Sequence, residues 1–189
     1  HWLSLVVFNL GGLFFLIFVD STLGRILLKA ILIAAPFVSF WLVPERAGGL
    51  SVLAKPERRW RFLSVVFALA GFWSGAAALV VFCVADTSLL RLGVGLGAVA
   101  VTVAISLWWW LEYGLQVGKN FWLSGIVLGL IIFEVAYCFM LWPLGYLVTG
   151  LLITWIWYIL WLLLRFALTA EGINWHRQRF FIAANAAFF

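Results

Sequence analysis

A carboxylate set inside an apolar run is the feature of this sequence most able to do chemistry. Glu134 lies within the run 121–141, seven residues from its end, roughly 10 Å along a helix. An ionised carboxylate at that depth in a membrane costs a few kcal/mol, so such residues face a bundle interior or a wet cavity. Tyr137 and Cys138 follow at i+3 and i+4, on the same helical face. Arg91, near the end of the preceding run, is the nearest cation in depth and can reach toward Glu134. Two uses fit this group: proton or cation coupling, or a hydrogen-bonded glue between helices. Asn9, Ser74, Thr102 and Thr154 also fall at mid-depth in their runs and, with Glu134, sketch a sparse polar cavity.

Other reactive types exclude more than they suggest. Asp20 and Asp86 fall at run boundaries and could form an acid pair, but their flanks lack the glycine or tyrosine signature of intramembrane aspartyl proteases. Capping and interface polarity explain them better, since Asp and Ser favour helix ends. Cys83 and Cys138 stand 55 positions apart, which is no C-x-x-C redox site. A disulfide between them would need Cα atoms within about 7 Å. His1 and His176 are the only histidines, so neither a bis-histidine haem nor an H-E-x-x-H zinc site is available. Gly71-Phe72-Trp73-Ser74-Gly75 has one residue too many for a G-x-S-x-G nucleophile turn. The lysines are Lys29, Lys55 and Lys119, none deep enough for a buried Schiff base. Gly93, Gly95 and Gly97 lie in an apolar helix, without the strand and turn that a phosphate-binding G-x-G-x-x-G requires. The residue inventory thus predicts no enzyme, cofactor or metal.

The elements that must position these groups are long and apolar. Of 189 residues, 67% are hydrophobic and 10% charged, with a mean hydropathy of +1.17. A water-soluble domain carries roughly 25% charge, and a bilayer is the solvent that suits this composition. Hydrocarbon about 30 Å thick takes about 20 helical residues to cross. Runs at 2–19, 25–43, 62–84, 89–111, 121–141 and 144–166 meet that length, and 180–189 opens another. Membrane strands would alternate polar and apolar residues, which these runs do not. The predicted fold is an all-α integral membrane protein, a polytopic bundle of six full transmembrane helices plus a truncated seventh. It forms one membrane domain, 1–189, with no soluble domain. The opening His1 and the short closing run read as cut ends of a longer protein.

Basic residues in short loops stay on the cytoplasmic side. Nine fall on the side of the N-terminus, namely Arg46, Lys55, Arg58, Arg59, Arg61, Lys119, Arg165, Arg177 and Arg179, against Arg25, Lys29 and Arg91 on the other. The N-terminus is therefore expected to be cytoplasmic, in a bacterial inner membrane. Eight tryptophans, among them Trp2, Trp60 and Trp108 to Trp110, cluster near that predicted inner interface, as amphipathic rings do. Trp73, Trp155 and Trp157 lie deeper and need helix or lipid neighbours. Lys55, Arg58, Arg59 and Arg61 form the densest basic cluster, a topology-setting loop or a patch for anionic lipid or a partner. A net charge of +5 is explained by such loops, without nucleic acid.

Three G-x-x-x-G pairs, Gly71/Gly75, Gly93/Gly97 and Gly125/Gly129, allow close backbone approach. They predict a tightly packed core of spans three to five. Span six, with Trp155, Trp157, Tyr158 and Trp161, then becomes a bulky outer or partner-facing helix. The functional expectation is a non-enzymatic membrane subunit or scaffold that packs against other membrane chains or copies of itself. The alternative is a small transporter or channel in which Glu134 couples a proton or cation.

Overall fold

The computed structural model describes residues 2–41, 56–82, 88–169 and 179. Six helices make up the described chain: α1 Trp2–Phe18, α2 Thr22–Trp41, α3 Pro56–Phe82, α4 Ser88–Glu112, α5 Lys119–Leu141 and α6 Tyr146–Leu168. Each coincides with a predicted span to within a few residues, apart from α3, which starts six residues early. Its first residue, Pro56, suits a first helical turn because the amide it lacks would have no intrahelical partner there. The run 180–189 and the loop holding Lys55 lie outside the described residues, as do Cys83 and Asp86.

Among the described residues five helices are long and apolar enough to cross a membrane, and Ser4–Phe18 is a shorter apolar helix. The expectation of six full spans is corrected to that extent. Helix α1 ends at Phe18, where the chain turns through Val19–Ser21. Ser21 accepts the Gly24 amide through Oγ at 3.3 Å, capping α2. The Arg25 side chain donates back to the Val19 carbonyl. Pro36 sits inside α2 without ending it.

Ring and glycine contacts fix the directions of the helices. Phe8 stacks on Phe67, and Phe14 meets Phe72, so α1 and α3 run parallel. Phe62 contacts Trp161 while Phe82 contacts Tyr146, so α6 runs against α3. Gly125 faces Leu107 and Gly129 faces Val103, so α5 runs against α4. Direction therefore alternates along the chain. One end of the bundle carries Arg91 and the α5–α6 turn; the other carries Arg61 and Glu112.

Helix α3 is the hub, packing most extensively on α1 and then on α6. The backbones of α1 and α3 approach closely. A Cβ on Gly71 would strike the Gly11 carbonyl, and a Cβ on Gly11 would strike the Ala68 backbone. Gly75 seats the Phe14 ring. On the far side of α3, Gly150 of α6 lies against the Ser74 backbone. The main buried cluster does draw on α3, α4 and α5, with α6 added to it, while α3 itself packs most closely on α1 and α6 and, among the described residues, makes no extensive contact with α5. Helix α6 is likewise interior: Trp157 and Trp161 are buried in the main cluster with Val65, Leu69 and Trp73. Indole volume, read from the sequence as a sign of an outer helix, is here what fills the space between α3, α4 and α6.

Candidate functional site on α4 and α5

Glu134 is exposed on the outer face of α5, away from the bundle interior. Tyr137, one turn on, is 60% exposed, and Cys138 is an exposed free thiol. The predicted i, i+3, i+4 face therefore exists, but it looks outward. Arg91 and Tyr137 line one cleft of about 270 Å³ at the Arg91 end, with Val80, Gly95 and Met140. Glu134 lies outside that cleft. The structure thus brings Arg91 beside Tyr137 and leaves Glu134 on the neighbouring surface.

The remaining polar candidates do not converge on a cavity. The Asn9 amide donates to the Leu5 carbonyl at 2.9 Å, one turn back on its own helix. Thr154 does the same to Gly150 at 2.8 Å. Thr102, fully buried, donates to the Ala98 carbonyl at 2.8 Å and accepts the Trp73 indole N–H at 3.1 Å. Ser106 repeats the pattern, donating to the Thr102 carbonyl and accepting the Trp157 N–H at 2.8 Å. These hydroxyls satisfy buried indoles, which otherwise leave a polar group unpaired at a cost of about 1–3 kcal/mol. The structure therefore does not bring these groups together: Asn9 and Thr154 bond carbonyls of their own helices, and Thr102 also meets an indole across the bundle. Ser74, also buried, has a hydroxyl with no partner beside Gly150.

The glycine pairs divide in the same way. Gly71, Gly75, Gly125 and Gly129 sit at helix contacts, with Leu107 2.9 Å from a Cβ placed on Gly125 and Val103 3.1 Å from one on Gly129. Gly93 and Gly97 meet nothing within 4 Å. With exposed Ala100 and Ala104 they form a smooth stripe on the outside of α4. Spacing alone could not separate the two kinds, because G-x-x-x-G fixes a shared face and not what covers it.

A second cluster, at the opposite end of the bundle, was not foreseen. Arg61 pairs with Glu112 at 3.0 Å, and its guanidinium lies 5.4 Å from the Trp109 ring centre. Arg61 is therefore folded inward and not part of an open basic patch; the side chains of Arg58 and Arg59 lie outside the described residues. Arg165 stacks on Tyr113 at 3.6 Å. Phe62 packs between Trp109 and Trp161. Three buried donors there have no acceptor: Arg61 Nε, Trp109 Nε1 and Trp161 Nε1. Charges at the same end of spans three, four and six were the available signal, since Glu112 closes its apolar run on the Arg61 side. Among the described residues no three His, Cys, Asp or Glu side chains are grouped to hold a metal.

No protein family, curated protein or solved structure matches the chain.

Proposed function

We propose that this chain is a non-enzymatic membrane subunit or scaffold, which docks against other membrane chains through the outward faces of α4 and α5. The observation that carries this reading is the placement of Glu134. It lies on the surface of an apolar helix long enough to span a bilayer, and no described residue pairs with it. A charge facing lipid at such depth costs a few kcal/mol, which a donor from a neighbouring chain offsets. The small stripe on α4, Gly93, Gly97, Ala100 and Ala104, supports the same reading, since small residues let a second backbone approach closely. The transporter alternative has less support, because Asn9, Thr102 and Thr154, which would have met Glu134 across a cavity, bond to other groups. A bacterial inner membrane with a cytoplasmic N-terminus is the setting that the distribution of basic residues favours.

The test is the size of the assembly solubilised from the producing membrane. Glu134→Leu and Ala100→Phe are each expected to shift the chain from a larger complex to its own size on native gels. Both positions are exposed, so the thermal midpoint of the purified chain should hold. An unchanged complex in both variants overturns the reading. So does proton-driven flux in liposomes of the pure chain that disappears with Glu134→Gln.

A further inference from the structure

Most charges on the described helices and turns are engaged inside their own chain. The Tyr146 hydroxyl donates to Asp20, Glu112 holds Arg61, Arg25 donates to the Val19 carbonyl, and Arg165 stacks on Tyr113. Arg91 is likewise partnered. Among the described residues inside the spans, Lys29 of α2 and Glu134 of α5 have no partner, and both are exposed. Their depths agree. Helix α2 begins at the Arg91 end, just after the Phe18 carbonyl meets Tyr146, and Lys29 stands seven residues in from Thr22. Helix α5 ends on that side, and Glu134 stands seven residues back from Leu141. Each therefore lies about 10 Å along its helix from the same end of the bundle. An ammonium and a carboxylate at one depth are complementary, yet α2 and α5 make no extensive contact within the chain.

We propose that a second copy of this chain covers Glu134, seating its α2 against α5 so that its Lys29 pairs with the carboxylate. The inference rests on the docking reading above and names the partner. Helix α2 runs opposite to α5 in every copy, so two copies with the same orientation in the membrane present these helices antiparallel. With Lys29 level with Glu134, Ile26 faces Tyr137, Ile33 faces Leu130 and Phe37 faces Ile126. All six of these residues are exposed, at 59% to 73%. The two faces carry the same three-four-four spacing, read in opposite directions. Helix α2 is available for this contact, being the least buried of the five long spans and packed chiefly on α1. A carboxylate facing hydrocarbon is costly, and the flexible four-carbon stem of Lys29 brings an ammonium to it. Because α2 meets α5 and not itself, each copy offers one face of either kind. That is a head-to-tail arrangement, which closes into a ring or extends as a chain of copies.

The experiment uses the full chain with Cys83 and Cys138 replaced by Ser, co-produced in two tagged forms. Ile33→Cys on one form and Leu130→Cys on the other should give an oxidised dimer carrying both tags. Either cysteine placed on both forms should give far less. Energy transfer between labelled copies in liposomes then measures self-association without crosslinking. Lys29→Glu or Glu134→Lys alone should weaken it about a hundredfold or more, the effect of leaving one member of a buried pair uncompensated. The double variant restores opposite charges and should regain most of the loss. The crosslink keeps both native charges, so it reads the contact even where a reversed charge impairs folding. A well-folded double variant as weak as the single ones overturns the proposal. So does a Leu130→Cys pair that crosslinks better than the mixed pair, which identifies α5 against α5. Purified copies that fail to associate, while Glu134→Leu still breaks the native complex, overturn the pairing of copies and leave docking to another chain standing.

Discussion

Trp73 and Trp157 reach across from α3 and α6 to hydroxyls on successive turns of α4, whereas Trp109 and Trp161 leave their indole N–H groups unpaired. Ring burial is nearly the same in all four, at 0% to 2% exposure. Replacing each by Phe removes a similar volume, so the difference between pairs isolates the hydrogen bond. Trp157→Phe is expected to destabilise the chain by about 1 kcal/mol more than Trp161→Phe, the ordinary net value of a hydrogen bond. Unfolding in graded denaturing detergent measures both, and equal losses would show that the Ser106 contact contributes nothing. The sequence placed Trp73, Trp157 and Thr102 well inside their apolar runs, and with that the need for neighbours, while Ser106 drew no attention. It could not display their pairing, because the azimuth of each residue about the bundle depends on which helices are adjacent. Glu134 shows the same limit: its depth was legible, and its outward direction was not.

At the scale of elements, apolar length and turn chemistry located all six helices, since hydropathy is a property of one segment alone. Packing partners depend on two segments and were harder to read. Gly11 belongs to no G-x-x-x-G pair, yet its backbone lies directly against Gly71 and Ala68 with no room for a side chain. Gly93/Gly97 has better spacing and touches nothing. Substitution should reverse the ranking that spacing suggests. Gly71→Ala drives a methyl into the Gly11 carbonyl, where backbone on both sides has little room to yield, and is expected to cost about 1–3 kcal/mol. Gly97→Ala meets open space and removes a flexible residue from a helix interior, for a gain of about 0.5–1 kcal/mol. Thermal midpoints of the two variants in the same detergent decide the matter. A destabilised Gly97→Ala chain would mean that the α4 stripe is already covered.

For the molecule as a whole, alternating helix direction converts one orientation measurement into a map of every turn. Helices α1 and α3 run parallel, and the Tyr146 hydroxyl donates to the Phe18 carbonyl at 2.7 Å, so the ends of α1 and α3 and the start of α6 share one side. Although α1 is shorter than the other five helices, its 17 residues extend about 25 Å alongside α3. Each hydrogen-bonded turn between helices thereby inherits its side from its neighbours. The preference of Lys and Arg for the cytoplasm then predicts that the Arg61–Glu112 end faces inside and the Arg91 end outside. Single cysteines at Lys119 and Trp142, in a chain with Cys83 and Cys138 replaced by Ser, test that assignment. Both positions are exposed, at opposite ends of α5. An impermeant maleimide added to intact cells should label Trp142→Cys and spare Lys119→Cys until the membrane is opened. The reverse pattern would invert the bundle, placing the Arg61–Glu112 cluster on the exterior and the Arg91 end inside. Labelling of both from outside would break the alternation itself, and with it the inference that α5 crosses the bilayer carrying Glu134 on its surface.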